Sequence, residues 1–315
     1  MEQSSLGSTR GHAMTEADFD IGLDEAELMP VARRGPSPLF DLGQLEVRWD
    51  AEQRALWTFM TPQGRPSFNL AMLRDFHIWQ REIARLYGSG DEALDYLILG
   101  SKFPGVWNFG GDLSLFAQYI RDGNRRALVD YGRSCVNILH RNLHCVGLPI
   151  VTIGLVQGQA LGGGFEALLS FNVLIAERSA RFGLPEVAFG LFPGMGAHAL
   201  LARRIGFAQA ERLILSNRTY SAEEMFDLGI VHRLVDDGEG VAAVADYIRL
   251  NARRRAGNSA IYSASREVNP VTLDELNAIV DIWADTALKL REKDLKLMQR
   301  LISAQSKLSD KISAG

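Results

Sequence analysis

Apolar residues recur along this chain with two different periods, which predicts alternating short strands and helices. Residues 45–49 and 55–60 alternate apolar and polar side chains, a pattern typical of paired strands. Residues 68–86 place apolar side chains three and four positions apart, which predicts a helix with one buried face. Three compact apolar runs predict buried strands: 96–100, 149–156 and 172–176.

The two ends of the chain differ from this alternating middle. Residues 1–40 are polar and acidic, with serine and glycine early and proline late, which predicts a flexible or peripherally packed leader. Beyond residue 240 the pattern is helical, with one long apolar stripe over 272–307. These changes divide the chain into an acidic leader (1–40), an α/β core (41–240) and a C-terminal helical region (241–315).

The composition is that of an ordinary globular protein. Of the 315 residues, 47% are hydrophobic and 23% are charged, and the formal net charge is −4, so neither a nucleic acid nor an anionic membrane is expected as a partner. No apolar run reaches the length of a membrane span. The only cysteines, Cys135 and Cys145, are too few for a disulfide scaffold, which favours a reducing, cytoplasmic location.

Residues 149–196 hold the candidate chemistry. A predicted strand leads into a glycine cluster, which lets the chain turn sharply and lets a ligand approach the backbone. Glu166 and Glu186 follow, each among apolar neighbours, where a carboxylate is costly unless it has a partner or a task. Burial raises the pKa of a carboxyl group towards neutrality, so this pair is suited to acid–base chemistry.

Some of these patterns also allow interpretations that involve no catalysis. The glycine cluster with Glu166 is also typical of a strand-to-helix turn with a capping acid. A dinucleotide-binding loop is disfavoured because GQALGG does not match the glycine spacing of that motif. His140 and His144 share a helical face, but the phrase HRNLH lacks the glutamate of a zinc-protease motif and has no third ligand nearby, so no metal site is predicted.

Three separated phrases resemble the crotonase (enoyl-CoA hydratase/isomerase) superfamily: GQALGGGFEALLS, RFGLPEVAFGLFPGMGA and YSAEEMFDLGIVHRLV. The resemblance covers about residues 45–240. NFGGDL (108–113), GGGFEA and LFPGMGA are most similar to the synthases of diffusible signal factor, a cis-2-unsaturated fatty acid used in bacterial signalling. The resemblance implies an α/β fold, a crotonase-like spiral of ββα turns, whose C-terminal helices cover the acyl pocket and form a homo-oligomer, such as a trimer.

The resemblance also implies roles for individual residues. The backbone N–H groups of Phe109 and Gly163 would form the oxyanion hole for a thioester carbonyl. Glu186 would act on the C2 proton and Glu166 on the 3-hydroxyl group, although the reverse assignment stays open. Six further residues would contact the substrate: Gly110, Gly162, Gly164, Met195, Trp283 and Leu301.

The implied activity is dehydration of a 3-hydroxyacyl thioester on acyl carrier protein to the cis-2-enoyl form, followed by hydrolysis to the free acid. No metal or other cofactor is needed for either step. The resemblance also leaves open a regulatory partner, the receiver domain of a sensor kinase, which would hold the protein inactive. Two alternatives remain, a hydratase or isomerase that acts on acyl-CoA and a non-catalytic protein that only binds an acyl thioester.

Overall fold

The computed structural model describes residues 37–89 and 93–313. The predicted acidic leader therefore lies outside the described residues, except for its last four positions. There Pro38–Phe40 forms a short 3₁₀ helix, capped by the Ser37 hydroxyl, and Leu39 is fully buried. The packed part of the chain accordingly begins before residue 41.

Within the described residues, ten strands form two sheets. A six-stranded sheet has the order β1-β2-β3-β5-β7-β10, and a four-stranded sheet has the order β4-β6-β8-β9. The strands are β1 (Leu45–Asp50), β2 (Ala55–Met60), β3 (Tyr96–Ser101), β4 (Gly105–Asn108), β5 (Val151–Val156), β6 (Gly158–Leu161), β7 (Val173–Glu177), β8 (Arg181–Gly183), β9 (Thr219–Ser221) and β10 (Arg233–Val235). β1 and β2 form an antiparallel hairpin, and from β2 to β10 the larger sheet is parallel.

Eleven helices are found in the described part of the chain. They are α1 (Leu70–Tyr87), α2 (Leu113–Arg121), α3 (Arg125–Leu143), α4 (Gly163–Leu168), α5 (Ala197–Ile205), α6 (Phe207–Leu215), α7 (Ala222–Asp227), α8 (Gly240–Asn251), α9 (Arg255–Val268), α10 (Leu273–Ala287) and α11 (Glu292–Ser313). None of the described helices combines the length and the hydropathy that a membrane crossing requires.

The chain crosses repeatedly from the larger sheet to the smaller one. β3 continues into β4, β5 into β6, and β7 into β8, so that consecutive strands belong to different sheets. β4, β6 and β8 are parallel neighbours, and their carboxyl ends therefore lie at one edge of the smaller sheet. This arrangement confirms the predicted α/β class with a helical C-terminal region.

The strongest patterns predicted their elements well. β1, β2, β3, β5, β7 and α1 all form within a few residues of the expected bounds. The short strands β4, β6 and β8 are not among the predicted elements, because each has only three or four residues and contains or adjoins glycine. The single helix expected over 272–307 is instead two helices, α10 and α11, and the Asp294 carboxylate caps the second by accepting from the Arg291 N–H at 3.0 Å.

Candidate active site

The edge where β4, β6 and β8 end brings together three loops that are distant in sequence. Residues 109–111 follow β4, Gly162 follows β6, and residues 184–186 follow β8. Carboxyl ends of neighbouring parallel strands are a common place for ligand sites, since the chain turns away there and leaves a crevice. Gly162, Gly163 and both glutamates thus reach one cleft because of strand order.

Glu166 lies in α4, two residues after the last glycine of the cluster, Gly164. Its side chain is 1% exposed, and its Oε1 accepts hydrogen bonds from the Met195 N–H at 2.8 Å and the Ala197 N–H at 2.9 Å. These donors belong to the FPGMGA phrase, which is folded back over α4. Two backbone donors stabilise the charged form of a carboxylate. Glu166 is therefore a buried carboxyl group whose ionised form has prepared partners.

Glu186 lies in the 3₁₀ helix Pro185–Phe189 that follows β8. Its Oε2 is buried and has no hydrogen-bond partner among the described residues. Its Oε1 lies against Gly162, since a Cβ placed on that glycine would be 2.6 Å from this oxygen. Gly162 also has a φ of +52°, which a side chain disfavours. The glycine thus gives the Glu186 carboxyl group its position in the cleft.

The two carboxyl groups influence each other. Burial raises the pKa of Glu166 from 4.5 to about 7, although its two backbone hydrogen bonds act in the opposite direction. Burial raises the pKa of Glu186 well above 4.5, and the nearby Glu166 charge raises it further. The geometry agrees with these directions: two backbone donors stabilise a carboxylate on Glu166, whereas the unpartnered Oε2 of Glu186 favours the protonated form there. This distribution provides one general base and one general acid in the same cleft.

The prediction that the Phe109 backbone N–H is an oxyanion donor does not fit this structure. This N–H donates to the Pro66 carbonyl at 2.8 Å, and the next N–H, of Gly110, donates to Asn108 Oδ1 at 2.7 Å. Gly111, the next residue of this loop, lines the cleft together with Gly163. A Cβ placed on Gly163 would lie 3.4 Å from the Gly111 nitrogen, so the two backbone segments are neighbours.

Gly110 and Gly164 support the cleft from behind. Gly110 has a φ of +86°, and a Cβ there would lie 2.5 Å from the Gly163 nitrogen. A Cβ on Gly164 would lie 2.3 Å from the Asn108 carbonyl oxygen. Neither residue lines the cleft, although both were predicted to contact substrate. The structure gives them a packing role, because they let the β4 loop and α4 approach at backbone distance.

Apolar side chains form most of the rest of the cleft. The predicted residues Met195, Trp283 and Leu301 all line it. Trp283 lies directly on Gly194, where a Cβ would come within 2.5 Å of the indole ring. Sequence patterns did not indicate several other residues that line the cleft: Leu113, Phe116, Tyr131, Gly132, Pro185, Phe189, Leu191 and Gln305.

Those missed residues come from elements that are distant in sequence, and no local signal marks them. In the described ranges, 37–89 and 93–313, no three histidine, cysteine or acidic side chains gather as metal ligands would. Tyr131 also lines the cleft, but its hydroxyl group already donates to the Phe68 carbonyl. The two carboxyl groups and the backbone of Gly111 and Gly163 lie in the same cleft. Together they can move protons and polarise a carbonyl group.

Comparisons with known proteins show the family of this chain. The family model of enoyl-CoA hydratase/isomerase matches residues 58–272, and the chain belongs to that family. The mitochondrial methylglutaconyl-CoA hydratase of Mus musculus is 33% identical over 154 residues, which are 49% of this chain and 47% of the relative. The chain thus spans about half the length of this curated relative.

Solved structures share the fold. The enoyl-CoA hydratase of Bacillus halodurans superposes with a TM-score of 0.68 at 20% identity, over 82% of this chain and 100% of the other. DspI of Pseudomonas aeruginosa superposes with a TM-score of 0.56 at 25% identity, over 72% of this chain and 89% of the other.

Proposed function

We propose that this protein adds water to, and removes water from, the C2–C3 bond of an acyl thioester, with Glu166 and Glu186 as its acid–base pair. The observation that carries the proposal is the unequal environment of two buried carboxyl groups in one cleft. Glu166 accepts two backbone hydrogen bonds, whereas Glu186 has an oxygen without a partner among the described residues. The first environment favours a carboxylate and the second a protonated acid.

This proton distribution fits hydration directly. The Glu166 carboxylate would activate a water molecule for attack at C3, and protonated Glu186 would deliver its proton to C2. Dehydration is the reverse reaction and draws on the less populated state, in which the proton lies on Glu166. The roles of the two residues at C2 and C3 are therefore those expected from the family resemblance.

Thioester binding supplies the rest of the mechanism. We assign the carbonyl oxygen to the N–H groups of Gly111 and Gly163, which replaces the pair expected from the sequence. Gly163 provides the first N–H of α4, a position without a partner inside its own helix. Donors fixed at the developing enolate oxygen lower the barrier to removing or adding a proton at C2. Glu186 suits that proton because its carboxyl group lies against Gly162, beside Gly163.

A more specific function, synthesis of a signalling fatty acid, is a second proposal. The phrases NFGGDL, GGGFEA and LFPGMGA favour it. It requires dehydration of a 3-hydroxyacyl group on acyl carrier protein, followed by attack of water on the same polarised carbonyl group to release the cis-2-enoic acid. Glu166, with a pKa of about 7, could serve as the base for that water. The carrier protein, a homo-oligomer and a receiver-domain partner remain predictions.

One set of assays tests both proposals. The wild-type protein and the variants Glu166→Gln and Glu186→Gln are incubated with crotonyl-CoA and with 3-hydroxyacyl carrier protein, and products are identified by mass spectrometry. Each variant should lose about 10²–10⁴-fold in turnover, because glutamine keeps the shape but cannot transfer the proton. Glu177→Gln is a matched control, since Glu177 is also buried but bonds to Gln157 and the Gly240 N–H outside the cleft.

The products distinguish the two functions. Interconversion of enoyl and hydroxyacyl thioesters alone supports the hydratase and refutes the signal synthase. A free cis-2-enoic acid above the uncatalysed background supports the synthase. Wild-type turnover in either glutamine variant would remove that glutamate from the mechanism, and absence of any thioester conversion by the wild type would refute both proposals.

A further inference from the structure

Tyr131 reaches from α3 to the loop that follows β4. The residue is 4% exposed and lines the cleft. Its ring packs edge-on against Phe116, with 4.8 Å between the two ring centroids. A Cβ placed on Gly111 would lie 3.7 Å from the Tyr131 hydroxyl oxygen. The hydroxyl group is therefore a close neighbour of the residue assigned above as an oxyanion donor.

The hydroxyl group of Tyr131 joins two backbone groups. It donates a hydrogen bond to the Phe68 carbonyl and accepts one from the Asp112 N–H at 3.2 Å. A carbonyl oxygen can only accept and an N–H can only donate, so the direction of both bonds is fixed. The single proton of the hydroxyl group is thus committed to Phe68.

These two hydrogen bonds complete the support of Gly111. Phe68 and Gly111 are parallel neighbours, and the Phe68 N–H donates to the Gly110 carbonyl at 2.8 Å. The Gly110 carbonyl and the Gly111 N–H belong to one peptide group, and the Asp112 N–H belongs to the next. Because Tyr131 holds the second group, both peptide groups that meet at the Gly111 Cα are held by hydrogen bonds.

The first of these peptide groups turns the Gly111 N–H away from Phe68. The bond between Gly110 and Gly111 is trans, and in a trans peptide group the C=O and N–H bonds point in opposite directions. Since the carbonyl faces the Phe68 N–H, the Gly111 N–H faces the other side. This orientation is compatible with a donor that serves the cleft, which Gly111 lines together with Gly163.

Gly111 needs this support because its own backbone has little conformational preference. A Cβ at this position would lie 2.5 Å from the Phe116 ring, so the packing requires a residue without a side chain. Glycine is also the residue with the widest choice of φ and ψ. The orientation of the peptide group between Gly111 and Asp112 therefore depends on the hydrogen bond to Tyr131.

We propose that Tyr131 is a positioning residue of the oxyanion hole, whose hydroxyl group fixes the loop so that the Gly111 N–H meets the thioester carbonyl. The inference rests on the proposed function, because it takes Gly111 as a donor. A direct role for Tyr131 in proton transfer does not fit. Its proton is already donated to Phe68, and burial raises the pKa of its hydroxyl group well above 10, so it is not a base near neutral pH.

The binding of an enolate tests the inference. Acetoacetyl-CoA readily loses a C2 proton, and its enolate absorbs in the near ultraviolet and carries negative charge on the thioester oxygen. Tyr131→Phe keeps the ring that packs on Phe116 and removes only the hydroxyl group. In a spectrophotometric titration this variant should bind the enolate about 10–10²-fold more weakly than wild type, because a small displacement of a donor has an effect of this size. Affinity for butyryl-CoA, whose carbonyl group is uncharged, should change much less in calorimetry.

Tyr96→Phe is the matched control, because Tyr96 has a buried hydroxyl group without a partner among the described residues and does not line the cleft. It should bind both thioesters as wild type does. Wild-type affinity for the enolate in Tyr131→Phe would overturn the inference and leave Tyr131 as a packing residue. An equal loss of affinity for both thioesters would overturn it too, because it would show a disturbed cleft rather than a displaced donor. If the wild type bound neither thioester, the proposed function itself would be refuted, and the inference with it.

Discussion

Replacement of Glu166 by glutamine should make the protein more stable at neutral pH. The folded state raises the pKa of this carboxyl group from 4.5 to about 7 because the group is buried. At about 1.4 kcal/mol for each tenfold change in proton affinity, the difference corresponds to about 3 kcal/mol. Glutamine can still accept the hydrogen bonds from Met195 and Ala197 and has no charge to desolvate.

The direction of the stability change depends on whether the folded or the unfolded state binds the Glu166 proton more tightly. Below about pH 4.5 both states hold the proton, and Glu166 costs nothing. As the pH rises towards 7 the unfolded chain ionises while the folded protein does not, so the free energy of unfolding falls. Above about pH 7 the loss is complete. The variant should therefore gain about 3 kcal/mol relative to wild type between acidic and mildly alkaline pH.

Urea unfolding at pH 5 and pH 8 measures this effect. The wild type and Glu166→Gln are compared, with Glu52→Gln as a control because Glu52 is exposed in the turn between β1 and β2. The control should follow the wild type at both pH values. An unfolding free energy that differs from wild type by the same amount at pH 5 and pH 8 would refute the reasoning, since it would show that Glu166 does not change its proton affinity on folding.

Two further substitutions test the geometry of the cleft. Gly110→Ala should lower turnover by about 10²–10³-fold, because the new Cβ would press on the Gly163 nitrogen and displace an oxyanion donor; wild-type turnover on crotonyl-CoA would show that this N–H is not used. Met195→Trp should prevent binding of long acyl chains while short ones still bind, as measured by KM across a chain-length series; an unchanged profile would show that Met195 only fills the core.

The sequence predicted which acidic side chains meet in the cleft better than it predicted the strands that bring them there. Glu166 and Glu186 were recognisable because an acidic residue among apolar neighbours is unusual over even a short window. The β4 and β6 strands were not, since their glycines and their length of four residues give no periodic signal. These strands nonetheless place the glycine loops side by side.

The oxyanion donor shows why the remaining detail could not be predicted. The sequence around Phe109 does not reveal that its N–H donates to the carbonyl of Pro66, which is distant along the chain. Whether a backbone N–H of a loop already has an acceptor depends on which segments tertiary packing places beside the loop.

Proton exchange at C2 tests the central claim most directly. A saturated thioester such as butyryl-CoA has no 3-hydroxyl group, so in D₂O it can exchange only its C2 protons, through Glu186 and the Gly111 and Gly163 donors. Mass spectrometry of recovered butyryl-CoA should show deuterium uptake with the wild type and with Glu166→Gln, but none above background with Glu186→Gln. Uptake at the wild-type rate in Glu186→Gln would contradict the proposed assignment of the acid–base pair.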